Sequence, residues 1–250
     1  MTRIASHRGG TLEFGDSTPQ GFRATAGMAV DEVEFDVHPT SDGAIMVHHD
    51  ATLDRTTDRT GRIAALTEAE VRAATIDYGA GGHPVSLAEL AEIFRHSPVD
   101  LRCEIKPGED GRPYADFVPR VIETIRAGGM LERTVFSSFL LESLEALRAA
   151  TDRPVLWLVS PMLLRLLGLK AVIELALSRG VPELGLHIDD ADAGLMRAVQ
   201  DQGLAFGCWA AHRPDQIGKA FDLGVKVFTT DRPSLAVRLR AARQGTERAT

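Results

Sequence analysis

Residues 33–37 read Val33-Glu34-Phe35-Asp36-Val37. Side chains two apart on a strand share a face, so the three apolar residues lie on one side and the two carboxylates on the other. An apolar outer face belongs against helices, which leaves Glu34 and Asp36 pointing inward, into a mouth ringed by strand ends. The stretch Leu101-Arg102-Cys103-Glu104-Ile105-Lys106 repeats the pattern, with Arg102, Glu104 and Lys106 on one face and Cys103 and Ile105 on the other. Two further apolar runs end in polar groups: Ile4-Ala5-Ser6-His7-Arg8-Gly9-Gly10 and Val47-His48-His49-Asp50.

Working outward, strand-like runs are expected at 3–6, 32–37, 99–105, 134–138, 155–159, 184–188, 205–209 and 226–229. The segments between them, such as 140–150 and 191–202, carry apolar residues at helical spacing and end in Gly or Pro punctuation. Eight strands alternating with helices over 250 residues predict an α/β fold, a (β/α)8 TIM barrel. One stretch breaks the rhythm. Thr40-Ser41-Asp42-Gly43 reads as a hairpin turn into 44–48, and polar sequence runs on to about Gly82. We expect a hairpin plus a small insertion after strand 2, about 40–85, over the mouth. Ile63, Leu66, Val71 and Ile76 give it too much apolar content for a disordered linker. The expected organisation is one domain over 1–240 and a polar C-terminal tail over 241–250.

A net charge of −7 argues against nucleic acid as a partner, because a duplex binder would show a basic face. It says little against a small anionic ligand, since a cleft can oppose the global sign. The most apolar stretch, 162–177, is broken by Arg165, Lys170 and Glu174, so no stable membrane insertion is expected. The N-terminus lacks a signal-peptide pattern. Cys103 and Cys208 give neither a disulfide framework nor zinc spacing, and a cytoplasmic setting is the expectation. The oligomeric state has no sequence signal.

Three convergent carboxylates, Glu34, Asp36 and Glu104, cannot all stay ionised and dry without a counter-charge. A divalent cation supplies it. All-oxygen ligands favour Mg2+ or Ca2+, with Mn2+ also suitable, over Zn2+. The plainer alternative is ion pairing to Arg102, Lys106 and Arg8. Of eight histidines, His38, His83 and His96 adjoin prolines or loops and are expected to be solvated, and His48 structural or exposed. His7 and His49 differ: each ends a strand beside a group suited to orienting it, the open Arg8-Gly9-Gly10 backbone for one and Asp50 for the other. They are the candidates for proton transfer.

At these residues the chain resembles the glycerophosphodiester phosphodiesterase family. The ordered series comprises His7-Arg8-Gly9, Glu34-x-Asp36, Thr40-Ser41-Asp42-Gly43 and His49-Asp50 with Leu53-Asp54-Arg55-Thr56-Thr57. It continues with Glu104-Ile105-Lys106, Ser138-Phe139, Trp209 and Thr230-Asp231-Arg232-Pro233. The resemblance implies metal-dependent hydrolysis of small glycerophosphodiesters to glycerol phosphate and an alcohol. His7 and His49 would be catalytic, Glu34, Asp36 and Glu104 the metal ligands, and Arg8, Lys106 and Trp209 the phosphate and substrate contacts. Two departures touch substrate orientation. Gly15-Asp16-Ser17-Thr18 stands where the family usually reads Pro-Glu-Asn-Thr. Trp209-Ala210-Ala211-His212 replaces Trp-Thr-Val-Asn, which makes His212 a candidate local replacement ligand.

Two nucleophiles fit this scheme, a water at the cation or the glycerol hydroxyl next to the phosphate, and either histidine can be the acid. The nearest alternative is phospholipase D-like or sphingomyelinase D-like action on lysolipids; a catalytically weak binding barrel is a more distant one. The charge-rich insertion (Asp50, Asp54, Arg55, Asp58, Arg59, Arg62, Glu68, Glu70) favours a water-soluble substrate. Met162-Leu163-Leu164-Arg165-Leu166-Leu167, following strand five, is the one segment that would form an apolar lip for a lipid.

Overall fold

In a computed structural model, which describes every residue except Tyr78, Ala80 and 248–250, nine strands form one sheet. They are β1 (Arg3–His7), β2 (Glu32–Pro39), β3 (Ile45–Val47), β4 (Asp100–Ile105), β5 (Thr134–Ser138), β6 (Val155–Val159), β7 (Glu183–His187), β8 (Ala205–Trp209) and β9 (Val227–Thr230). The order is β1-β9-β8-β7-β6-β5-β4-β2-β3, and a further β1–β2 pairing closes the ring. Eight parallel strands make a TIM barrel, and β3 lies antiparallel on β2 outside that count.

The outward residues behave as their alternation demands. Val33, Phe35 and Val37 are fully buried against the helical layer, together with Leu101, Cys103 and Ile105. Each amphipathic helix covers the barrel with one face. The helix Leu87–Phe94, for example, buries Leu87, Leu90, Ala91 and Phe94, and the Ser86 hydroxyl caps it by accepting from the Glu89 amide at 3.3 Å. Such caps satisfy one of the amides that a helix start leaves without a partner.

The stretch 40–85 leaves the barrel through a tight turn, with Gly43 at φ 97 and the Thr40 amide donating to the Ala44 carbonyl at 2.9 Å. Beyond β3, Met46, Leu53, Ile63, Val71 and Ala74 pack into a small cluster separate from the main core. At the other end of the chain, the tail expected over 241–250 is helical as far as Glu247, within Pro233–Glu247. Its last three residues lie outside the described ones.

The helix after β6, Pro161–Ser178, differs from a simple barrel helix. Gly168 at φ 77 and ψ 156 interrupts it. Val172, Ile173 and Ala176 beyond the break are buried. Before it, Leu163 and Leu164 pack on the core while Met162 and Leu166 are 72% and 76% exposed. No helix among the described residues is long and apolar enough to cross a membrane.

Candidate active site

Strand register sets the site. β1 pairs with β2 so that His7 stands opposite Glu34, and β2 pairs with β4 so that Asp36 stands opposite Glu104. The expected carboxylates therefore meet. Oxygens of Glu34, Asp36 and Glu104 lie within 4.8 Å of one another, and all three residues are buried. Glu34 Oε2, Asp36 Oδ1 and Glu104 Oε1 have no hydrogen-bond partner. Lys106 Nζ approaches Glu104 Oε1 at 2.7 Å and Asp36 Oδ1 at 3.2 Å, off the line of a hydrogen bond, so it acts there as a point charge. Three orphaned carboxylate oxygens in one place suit a hard cation with oxygen ligands.

The plainer ion-pair reading is met only in part. Arg102 turns away, donating to Glu32 Oε2 at 2.6 Å. Arg8 Nε donates to Asp36 Oδ2 at 2.8 Å, and its Nη1 to Asp16 Oδ2 at 3.1 Å. Burial raises the Asp36 carboxyl, but Lys106 and Arg8 more than offset this and hold it well below the usual carboxylate range. Glu34 has no such pair, and burial together with Asp36 and Glu104 pushes it well up. Burial likewise pushes Glu104 up, to about 7, against the pull of Lys106.

Both candidate histidines reach the site, and each is backed by a carboxylate. His49 Nδ1 donates to Asp50 Oδ1 at 2.5 Å, and Asp50 is itself held by Arg55 Nε at 2.6 Å. His7 Nδ1 donates to Asp231 Oδ1 at 2.5 Å, while its Nε2 lies 3.7 Å from Glu34 Oε2. These donors are assigned from the hydrogen-bond pattern. Asp231, not the Arg8-Gly9-Gly10 backbone, is thus the orienting group for His7. Sequence reading missed it as a partner, although Thr230-Asp231-Arg232-Pro233 stands at a strand end like the other site residues.

His38 is not solvated. It is 1% exposed, donates from Nε2 to the His49 carbonyl at 3.1 Å and accepts from the Tyr114 hydroxyl at 3.0 Å. β2 runs two residues further than expected and carries His38 inside. His48 is buried beside Thr56, whereas His96 is exposed and His83 pairs with Glu89 at the surface.

The two departures resolve locally. Asp16 takes Arg8 and Arg55 as partners, and Thr18 caps the helix Pro19–Ala26 by accepting from the Gly21 amide. Gly21 is needed there, because a Cβ would stand 2.7 Å from the Gly9 carbonyl oxygen. His212 packs beside His7, ring centroids 5.7 Å apart. A cavity of about 210 Å³ gathers His7, Arg8, Glu34, His49, Glu104 and Lys106, with Phe139, Trp209 and His212 on one wall. Cys103 and Cys208 are free thiols, both buried.

Residues 7–235 match the model of the Glycerophosphoryl diester phosphodiesterase family. A curated Glycerophosphodiester phosphodiesterase from Caldanaerobacter subterraneus subsp. tengcongensis is 26% identical over 243 residues, spanning 95% of this chain and 97% of the relative. A crystal structure from Agrobacterium tumefaciens named for the same family is 64% identical, with a TM-score of 0.96 over 98% of this chain and 99% of that one. An Oleispira antarctica phosphodiesterase, solved with its product sn-glycerol-3-phosphate, shares the fold at 20% identity, with a TM-score of 0.75 over 95% of this chain and 97% of that one.

Proposed function

Because the chain belongs to the glycerophosphoryl diester phosphodiesterase family, an enzyme family that hydrolyses glycerophosphodiesters, we propose that it does so with a divalent cation and two histidines. The observation that carries this is the trio of orphaned carboxylate oxygens flanked by two histidine–aspartate pairs. Glu34, Asp36 and Glu104 would hold a hard cation, Mg2+ or Ca2+ with Mn2+ as a further option, whose charge would offset that of the phosphoryl group.

The remaining steps fall to the chain's own residues. A phosphodiester resists attack because its anionic phosphoryl repels nucleophiles and its alkoxide leaves poorly. Arg8 and Lys106 line the cavity and would share the non-bridging oxygens, as cationic clamps do in phosphoryl transfer. With each Nδ1 committed to an aspartate, His7 and His49 have Nε2 left for the substrate. One removes a proton from the attacking oxygen and the other protonates the departing one. Asp231 and Asp50 then stabilise whichever imidazolium forms.

Phosphorus NMR of glycerophosphocholine with the enzyme tests this. Glycerol phosphate should appear with Mg2+, Ca2+ or Mn2+ and not in excess EDTA. Full turnover in EDTA would remove the cation from the scheme.

A second substrate class is favoured by one observation. Met162 and Leu166 form an exposed apolar lip in the loop after β6, at the same barrel end as the cavity; Leu163, expected beside them, packs inward. Lysophosphatidylcholine would then be cleaved faster than glycerophosphocholine, and Met162→Ser with Leu166→Ser would remove the preference. Equal or lower kcat/KM for the lysolipid in the parent enzyme leaves the water-soluble diester as substrate.

A further inference from the structure

The departure at His212 places an unusual imidazole in the cavity wall. Its Nδ1 accepts from the Asp231 backbone amide at 3.0 Å. A nitrogen that accepts carries no proton, so the proton of neutral His212 resides on Nε2. Burial holds its pKa down to about 4, against the pull of Asp231, and the ring stays neutral at physiological pH. Side by side, then, His7 presents a bare Nε2 and His212 presents an Nε2–H. One is built to take a proton, the other to give only a hydrogen bond.

That Nε2–H has no hydrogen-bond partner among the described residues, and it is the edge of the ring left to the cavity. Three residues earlier on the same strand end, the indole Nε1–H of Trp209 is also buried without a partner. The nearby anions are already committed: Asp231 to His7, and Asp50 to His49 and Arg55. Two idle donors on one wall require acceptors from the ligand, because an unmet buried donor is costly. Phosphoryl oxygens are better served by the cations Arg8 and Lys106, and neutral donors suit neutral oxygens.

We propose that His212 is a specificity-determining residue, donating from Nε2 to a hydroxyl of the substrate's glycerol group, with the Trp209 N–H as the second donor of the same subsite. This rests on the family's hydrolysis of glycerophosphodiesters and adds which end of the substrate the β8 wall holds. The separation of the His7 and His212 rings fits hydroxyls a few bonds from the atom on which His7 acts.

His212 is not needed to hold its own loop. The Ala211 amide donates to the Thr229 carbonyl at 3.0 Å, and the amides of His212 and Arg213 donate to Gln216 Oε1. Substitution of the ring should therefore leave the backbone in place.

The test compares calorimetric binding of sn-glycerol 3-phosphate with that of n-propyl phosphate, which has the same phosphate and no hydroxyls. The parent enzyme should prefer glycerol 3-phosphate by about tenfold, the upper end of what one neutral hydrogen bond gives. His212→Phe should erase most of that preference without weakening propyl phosphate. His212→Asn, which keeps an N–H donor, should retain part of it. With glycerophosphocholine the Phe variant should raise KM more than it lowers kcat and keep both limbs of the pH profile. Equal weakening of the two phosphates would show that His212 acts through Asp231 and His7, and would overturn the proposal. Loss of one pH limb, or no preference in the parent enzyme, would overturn it as well. Turnover of glycerophosphocholine by the parent enzyme tests the underlying activity separately from this subsite.

Discussion

His7 and Asp231 stand 224 positions apart in sequence and 2.5 Å apart in space. Local pattern shows the first kind of distance and not the second. Glu34, Asp36 and Glu104 were legible because a strand's period of two decides which side each faces. His7 and His49 were legible as polar groups at strand ends. Asp231 was not read as a partner because it meets His7 only where β9 closes against β1. His38 was misread because the neighbouring Pro39 signals a loop, whereas here it ends a strand opposite Ile45. His7→Ala or His49→Ala should lower kcat by about 10²–10⁴-fold with the thermal midpoint little changed, since neither side chain packs in the core. Asp231→Asn should also slow turnover, by loosening His7 and destabilising its charged form. Near-normal rates in either alanine variant would remove that histidine from proton transfer. Because the two histidines need opposite protonation states, kcat/KM should be bell-shaped in pH, with apparent pKa values that belong to the pair. A profile flat from about pH 5 to 10 would contradict the scheme.

At the scale of elements, the strands were readable to within a residue or two, and the turn at Thr40-Ser41-Asp42-Gly43 sits where its residue types demand. What the sequence concealed was a join between elements. His38 ties β2 to the loop bearing His49 and, through the Tyr114 hydroxyl, to the loop after β4. Burial holds its pKa down to about 4 from an ordinary value of 6.5. Between those two values the unfolded chain binds the extra proton and the folded chain does not, so stability rises with pH across that window. His38 thus contributes fully above about pH 6.5, and the contribution, about 3 kcal/mol in all, is lost progressively as pH falls towards 4. Urea midpoints measured from pH 7 down to 4.5 should fall less steeply for His38→Gln than for the parent chain. Parallel curves would mean that His38 is not held neutral.

For the whole molecule, eight strands over this length pointed to a barrel, and the closing β1–β2 register is what aligns the acidic groups. Folding brings Glu34 and Glu104 together with their carboxyls raised, so the folded metal-free chain holds protons more tightly than the unfolded one. Its stability should fall as pH climbs from the ordinary value of 4.5 towards 7. A divalent cation needs those groups deprotonated, so the gain in thermal midpoint on adding Mg2+ or Ca2+ should grow from pH 5 to 7.5. A gain independent of pH would place the ion elsewhere. The two thiols give the same ring a clock. Cys103 adjoins the ligand Glu104 on β4, fully buried, and burial pushes its thiol far up. Cys208 adjoins Trp209 on β8 and borders the cavity, its thiol pushed up to about 12 by burial. A reagent attacks only a thiolate it can reach, so modification of Cys103 reports how often the cylinder breathes open. Cys208 should be labelled first and Cys103 far more slowly. Occupancy of the acidic trio by a cation should slow Cys103 further, because a staple across β2 and β4 makes the opening of that seam rarer.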